Sequence, residues 1–334
     1  MKDTKMLTFI KNILINMPSS WLNRTTHRLD IYDEKLAKTQ FLEQFEILFN
    51  NNNSEAIAIS ELPTAYDYIR LGHPLSCLLE WVIANLNNIK PKNVISFSSK
   101  TIPILAILRK NLLANKSTQI VFTDELPKFI DFKVLKNIYG YKFDLKKVEK
   151  VEDISAFNGS TVFISQQDEI SNIDLKSDID FFINFHSQFG SILLVNGEQN
   201  ESYISEIQHV RRRETIAMTP VNCLANLNSI INKSTFENNK NNTESDKKLV
   251  LESIADITAT NTKAVVGSSG LSIQYAIMMG LIHDALENHK GKTIRFIVPP
   301  NCYGGTNDQA RRVAACINNV EVMDLCVDSG NDMV

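Results

Sequence analysis

Two spacings of apolar residues organise this chain of 334 residues. Between Asp33 and Phe49 apolar side chains recur at helical intervals (Leu36, Phe41, Phe45, Leu48), and the asparagines from 50 to 53 end the run. Residues 6–17 carry a similar amphipathic helix pattern. Short apolar runs follow, each too brief for a helix and bounded by turn residues. They predict strands at 56–59, 94–97, 120–122, 161–164, 191–195 and 215–218. Between them lie longer periodic stretches, predicting helices at 75–86, 103–113, 129–138 and 177–188. Short apolar strands alternating with helices mean β-α-β units. The expected class is therefore α/β, with a mostly parallel sheet covered on both faces.

Residues 233–248 interrupt this order with Lys, Asn, Ser, Thr, Glu and Asp, a composition that buries no apolar surface and predicts a flexible linker. Beyond it the alternation restarts. Helices are expected at 249–257, 271–286 and 309–317, and strands at 264–267, 294–298 and 320–325. The restart repeats the opening of the earlier segment. Leu78-Leu79-Glu80 precedes a strand running into Ser98-Ser99-Lys100, and Val250-Leu251-Glu252 precedes one running into Ser268-Ser269-Gly270. An internal duplication accounts for this, as does chance similarity between two β-α-β units of one domain. The expected organisation is an N-terminal helical segment (1–55), a large domain (56–232), the linker (233–248) and the truncated start of a second such domain (249–334).

Composition narrows the function classes. With 43% hydrophobic residues the chain can build one large or two ordinary cores. A net charge of −3 supplies no global field for nucleic acid or anionic membrane, and no stretch approaches the roughly 20 apolar residues that span a bilayer. The five cysteines are scattered, with no Cys-x-x-Cys and no His/Cys cluster at metal spacing. They predict a reduced, cytoplasmic setting and no zinc site.

The candidate chemistry lies in two turns of the second segment. Ser268-Ser269-Gly270 stands between an expected strand and the helix beginning at Leu271, where free backbone N–H groups at the positive helix end can hold a phosphate. The next strand ends near Tyr303-Gly304-Gly305-Thr306, placing an aromatic ring where it could cover a flat group attached to that phosphate. Together with Tyr68-Ile69-Arg70-Leu71-Gly72-His73-Pro74, these motifs, in order and spacing, resemble the Cys/Met-metabolism family of pyridoxal-phosphate enzymes, the transsulfuration group that includes cystathionine γ-synthase and cystathionine lyases. The resemblance implies the aspartate-aminotransferase-like fold (fold type I), apparently duplicated, and pyridoxal 5′-phosphate as cofactor. It also implies a small amino-acid substrate and a homodimer or larger assembly, because the Tyr-x-Arg motif of the family reaches the phosphate of a neighbouring subunit.

Carried over residue by residue, the resemblance gives Ser268, Ser269, Gly270 and Leu271 to the phosphate loop and Tyr303 to the ring. Tyr68 and Arg70 serve that phosphate, in cis or between chains. Catalytic groups are not found where they belong. Asn196 stands at the position of the family's aspartate, and Asn222 at that of its Schiff-base lysine. An amide cannot keep a pyridinium nitrogen protonated, nor can it form an imine with the cofactor. The implied function is pyridoxal-phosphate binding in a transsulfuration-type lyase or transferase, inactive as this chain stands. A non-catalytic module that pairs with an active enzyme is the alternative, and an ordinary nucleotide-binding fold is opposed by the lack of Gly-x-Gly-x-x-Gly after any strand.

Other motifs have plainer readings. Gly291-Lys292-Thr293 lacks the leading glycine of a phosphate-binding P-loop, and Arg211-Arg212-Arg213 reads as a solvated helix end. His186 reads as structural and Cys302 as incidental. Lys100 reads equally as an anion ligand or as a surface lysine.

Overall fold

A computed structural model describes residues 2–23, 34–66, 68–168, 173, 175–233, 243–260 and 262–325. The chain opens with α1 (Lys2–Asn16), α2 (Glu34–Asn50), α3 (Ala56–Ser60) and α4 (Pro74–Leu86). Next come β1 (Val94–Phe97), α5 (Ile102–Leu113), β2 (Thr118–Phe122), α6 (Phe132–Asn137), β3 (Phe143–Lys147), β4 (Ser160–Ser165), β5 (Phe181–His186) and β6 (Gly190–Val195). The helices α7 (Ser202–Glu214) and α8 (Pro220–Asn232) precede the second segment. That segment holds α9 (Thr243–Thr258), α10 (Gly270–Asn288), β7 (Ile294–Val298), α11 (Gly304–Ala314) and β8 (Val320–Asp324).

Six strands form one sheet in the order β1-β6-β5-β4-β2-β3. The pairs β5–β4, β4–β2 and β2–β3 are parallel, while β6 runs against both β1 and β5. Five strands thus point one way, and the class is α/β with a largely parallel sheet. Every residue of β1, β4, β5 and β6 is buried, as expected of a sheet covered on both faces. Alternate residues feed two cores. Phe182, Leu194 and Phe163 pack toward α4 and α8, whereas Phe181, Ile183 and Leu193 pack toward α5 and α7. On the first side α1 and α2 add an aromatic layer in which the Phe45 and Trp81 rings meet edge-on at 5.3 Å.

Several expected elements differ. Residues 56–59 form the short helix α3, not a strand, because Ile59 alone of the run is buried and Ile57 is exposed. Residues 177–188 do not form a helix: positions 181–186 are β5, hairpinned to β6. The turn requires Gly190, whose φ is +103° and whose place would put a Cβ 2.1 Å from the Phe97 carbonyl oxygen. Residues 215–218 are extended without being a strand, held by Ser98 N–H donating to Ile216 O and Ala217 N–H donating to Arg70 O.

In the second segment residues 264–267 are also irregular. They have no strand beside them among the described residues, and Val265 and Val266 are exposed. The stretch expected as linker is helical from Thr243 onward; positions 234–242 lie outside the described residues. The two segments do share an element order. β7 and β8 pair in parallel with α11 between them, as β2 and β3 do around α6.

Arg211, expected in solvent, is completely buried. It donates to Glu80 at 3.0 Å and to the Ser96 carbonyl at 3.0 Å, while Lys38 Nζ donates to the other Glu80 oxygen at 2.5 Å. Burial alone would raise the Glu80 carboxyl, but Lys38 and Arg211 beside it hold it below its usual range. No helix among the described residues is long and apolar enough to cross a membrane, and no group of three potential metal ligands occurs among them.

Candidate functional site

The site is built around the first turn of α10. Ser269 is its N-cap: Ser269 Oγ accepts from Ser272 N–H at 3.2 Å, and Ser272 Oγ accepts from Ser269 N–H at 2.9 Å. This reciprocal capping consumes two donors and fixes the turn. The N–H groups of Gly270 and Leu271 precede the first intrahelical acceptor and face outward with the positive end of the helix. Space is left over them, since a Cβ at Gly270 would meet nothing within 4 Å.

Tyr303 caps α11 next door and is 61% exposed. Gly305 lets α11 approach α10 closely, because a Cβ there would lie 2.9 Å from Leu271 Cδ1. The third component comes from far away in sequence. Arg70 stacks on the Tyr68 ring at 4.4 Å, and its Nη2 donates to the Tyr303 hydroxyl at 3.2 Å. Only 6% of Arg70 is exposed, and its Nε meets no hydrogen-bond partner among the described residues.

All seven sequence-predicted binding residues therefore line one cavity of about 830 Å³: Tyr68, Arg70, Ser268, Ser269, Gly270, Leu271 and Tyr303. Ile216, Ala217, Thr219 and Pro220 form the wall contributed by the stretch leading into α8. Two cations missed by sequence reasoning stand beside it. Arg212 lies over the Tyr68 ring at 5.7 Å, and Arg213 pairs with Asp308 at 3.2 Å. Burial and the neighbouring charge of Arg213 lower the pKa of Arg212. The hydrogen bond from Arg70, with the charges of Arg213 and Arg212, holds the Tyr303 phenol below its ordinary value against the effect of burial.

The two asparagines are not placed together. Asn222 sits half-buried in the first turn of α8, its backbone N–H directed at Thr219 Oγ1, close to the cavity wall. Asn196 follows β6, which runs against the rest of the sheet. It emerges at the edge where β1 begins, opposite the edge that carries Ser98. There its Nδ2 donates to the carbonyls of Lys176 and Ile179 at 2.8 and 2.7 Å. The expected location of Asn196 beside a cofactor ring is thus corrected by the direction of β6.

At the Ser98 edge the first segment closes its own turn. Ser98 Oγ donates to Ala217 O, Ser191 Oγ donates to Ser99 O, and Lys100 Nζ donates to Ser187 O at 2.6 Å. Asp168 accepts from both Ser187 N–H and Ser187 Oγ. His186, buried on β5, accepts from Gln188 N–H at 3.0 Å and shapes the hairpin turn. Cys302 is half-buried, with its thiol against the Tyr303 carbonyl.

No protein-family model matches the chain, and no curated protein does. Among solved structures it is similar to cystathionine gamma-lyase from Lactobacillus plantarum complexed with L-serine, at 10% identity and TM-score 0.37, over 67% of this chain and 63% of that one. It is similar to cystathionine gamma synthase from Xanthomonas oryzae pv. oryzae in complex with cystathionine, at 9% identity and TM-score 0.34, over 59% of each chain. It is similar also to metB from Corynebacterium glutamicum, at 12% identity and TM-score 0.33, over 62% of this chain and 61% of that one. The chain spans 59–63% of the length of these three structures. At such identities and TM-scores none of them assigns chemistry to it.

Proposed function

We propose that the cavity between the Tyr68–Arg70 loop and the first turn of α10 binds a phosphate monoester carrying a flat ring, and that pyridoxal 5′-phosphate is the ligand. One observation carries the reading. A largely buried arginine and a helix N-terminus whose first N–H groups precede the intrahelical hydrogen bonds line the same cavity, beside an exposed tyrosine ring. Arg70 and the N–H groups of Gly270 and Leu271 hold the phosphate, with Ser268 beside them. Tyr303, or Tyr68, covers the ring. The positive charge of Arg70 suits a phosphate.

Bound pyridoxal phosphate supplies an electron-withdrawing ring for amino-acid chemistry. This chain's own residues bind and orient. Among the described residues the cavity lining contains no Lys, His, Cys, Asp or Glu, so none of these offers an amine to link the cofactor or a base near neutrality. That composition favours a non-catalytic binding module within a transsulfuration-type fold over a lyase or transferase acting alone. An amino-acid substrate and a homodimer, both implied by the resemblance, are secondary parts of the same proposal.

Calorimetric titration with pyridoxal phosphate, pyridoxal and inorganic phosphate tests it. Pyridoxal phosphate should bind, pyridoxal should bind much more weakly, and phosphate should compete. R70A should weaken binding by about ten-fold or more, the cost of one charge-assisted hydrogen bond. Equal affinity for pyridoxal and its phosphate, or an unaffected R70A variant, would refute the phosphate site. A borohydride-stable adduct would refute the non-catalytic part.

A further inference from the structure

We infer that this ligand site is completed within a single chain, one site per chain, with the second segment supplying the phosphate turn and the aromatic ring to the Arg70 of the first. The inference rests on the phosphate reading for its ligand but on independent contacts for its geometry. Arg70 and Tyr303 are 233 positions apart and meet at 3.2 Å in the same molecule. Such a contact has meaning only if the two segments are held in register, and buried polar groups hold them.

Arg109 on α5 is 4% exposed and pairs with Glu214 on α7. From the same guanidinium, Nη2 donates at 2.6 Å to the hydroxyl of Tyr275 on α10. Gln309 on α11 donates to the carbonyls of Arg213 and Leu271, both at 2.9 Å, tying α7, α10 and α11 at one point. Arg312 on α11 pairs with Glu206 on α7. Separating the segments would expose Leu271 and open the Arg109–Tyr275 and Gln309 hydrogen bonds to water, so the two segments stay docked.

The site count follows from the first segment. Its own Ser98-Ser99-Lys100 turn has its serine hydroxyls and lysine committed to Ala217, to the α5 N-terminus and to Ser187. It therefore offers no second phosphate cradle. Ligand binding in this arrangement is independent of protein concentration and joins two segments of one chain.

Two measurements test this. In the first, R70A and G270D chains are titrated with pyridoxal phosphate separately and as an equimolar mixture. G270D places a carboxylate at a helix N-terminus, where the fold accepts it and a phosphate does not. Wild type should take up one equivalent per chain, and the mixture should bind no better than its components. Recovery of about a quarter of the wild-type sites, the statistical yield of one intact shared site in mixed dimers, would overturn the inference.

The second measurement needs no ligand and so separates this inference from the phosphate reading. An E206C/R312C chain, with Cys302 and Cys326 replaced by Ser so that only buried native cysteines remain among the described residues, is treated with a short bis-maleimide over a range of dilutions. A cross-link at monomer mass, unchanged by dilution and absent when the two single-cysteine chains are mixed, supports docking in cis. A cross-linked dimer, or no cross-link, overturns it. If wild type binds no pyridoxal phosphate while the intrachain cross-link forms, the ligand assignment fails and the geometry stands.

Discussion

Acid should destabilise this protein through one histidine, in a pH window that can be assigned in advance. His73 is the N-cap of α4 and is 3% exposed. Its Nδ1 accepts from Ser76 N–H at 3.2 Å, and its Nε2 lies 2.7 Å from the Met218 carbonyl oxygen. A carbonyl accepts only, so Nε2 carries the hydrogen and the ring is neutral. Burial lowers the His73 pKa from 6.5 to about 4, and a proton on Nδ1 would face a backbone donor. In the unfolded chain the same ring protonates near pH 6.5.

Between those values the unfolded state holds more protons than the folded one, so stability falls as pH falls. The contribution is fully present above the unfolded pKa and is lost on the way down to the folded one. A displacement from 6.5 to about 4 corresponds to roughly 3 kcal/mol across the window. The comparison variant is H73N, because asparagine caps a helix well and does not titrate. Urea midpoints read by tryptophan fluorescence at intervals from pH 7.5 to 4.5 should show wild type losing stability more steeply than H73N, the gap opening below pH 6.5. Parallel profiles would refute the reasoning, since every other acid-labile group is common to both chains.

Two further outcomes are expected. Glu80→Ala leaves Lys38 and Arg211 buried without their counter-charge and should cost about 3–5 kcal/mol in urea denaturation; a loss below about 1 kcal/mol would mean the three charges are not coupled. Tyr275→Phe removes the hydroxyl that Arg109 reaches across the two segments. About 1.5–3 kcal/mol should be lost locally, seen as faster amide exchange in α10 and α11 with α4 unchanged. Equal exchange throughout would show that the contact does not hold the segments together.

The fold was legible where periodicity and burial agree. The apolar run at 75–86 is a helix buried along most of its length, and the short runs at 94–97, 161–164 and 191–195 are fully buried strands. Residues 177–188 misled because a strand buried on both faces shows little alternation: Phe181, Phe182, Ile183 and Phe185 are apolar on either side of the sheet. At 264–267 the local propensity is that of a strand, but no neighbour supplies hydrogen bonds, and Val265 and Val266 remain in solvent.

Within the site, the capping residues Ser268 to Leu271 and the ring of Tyr303 were legible as turn chemistry, whereas Arg70 entered through resemblance alone. Arg211 was misjudged although its phase was visible. Ile207, Val210, Arg211 and Glu214 fall on one helical face, and all four are buried. Three consecutive arginines drew attention to charge when their spacing mattered more. Asn196 could not be placed without the direction of β6, which depends on a hairpin that the sequence pattern concealed.

The sheet order has a consequence for how the chain comes to be folded. β1 is an edge strand whose partner is β6, with Val94 aligned to Leu194, one hundred positions later. On the ribosome, Val94 to Phe97 emerge well before their hydrogen-bonding neighbour exists, and nascent β1 has no partner strand through the synthesis of α5 to β5. Its three apolar residues, Val94, Ile95 and Phe97, make an early adhesive segment during translation. α4 already lies behind them, and its Glu80 accepts from Ser96 N–H at 2.8 Å. A single buried carboxylate, from the helix synthesised just before β1, thus supplies that edge strand with one acceptor from outside the sheet.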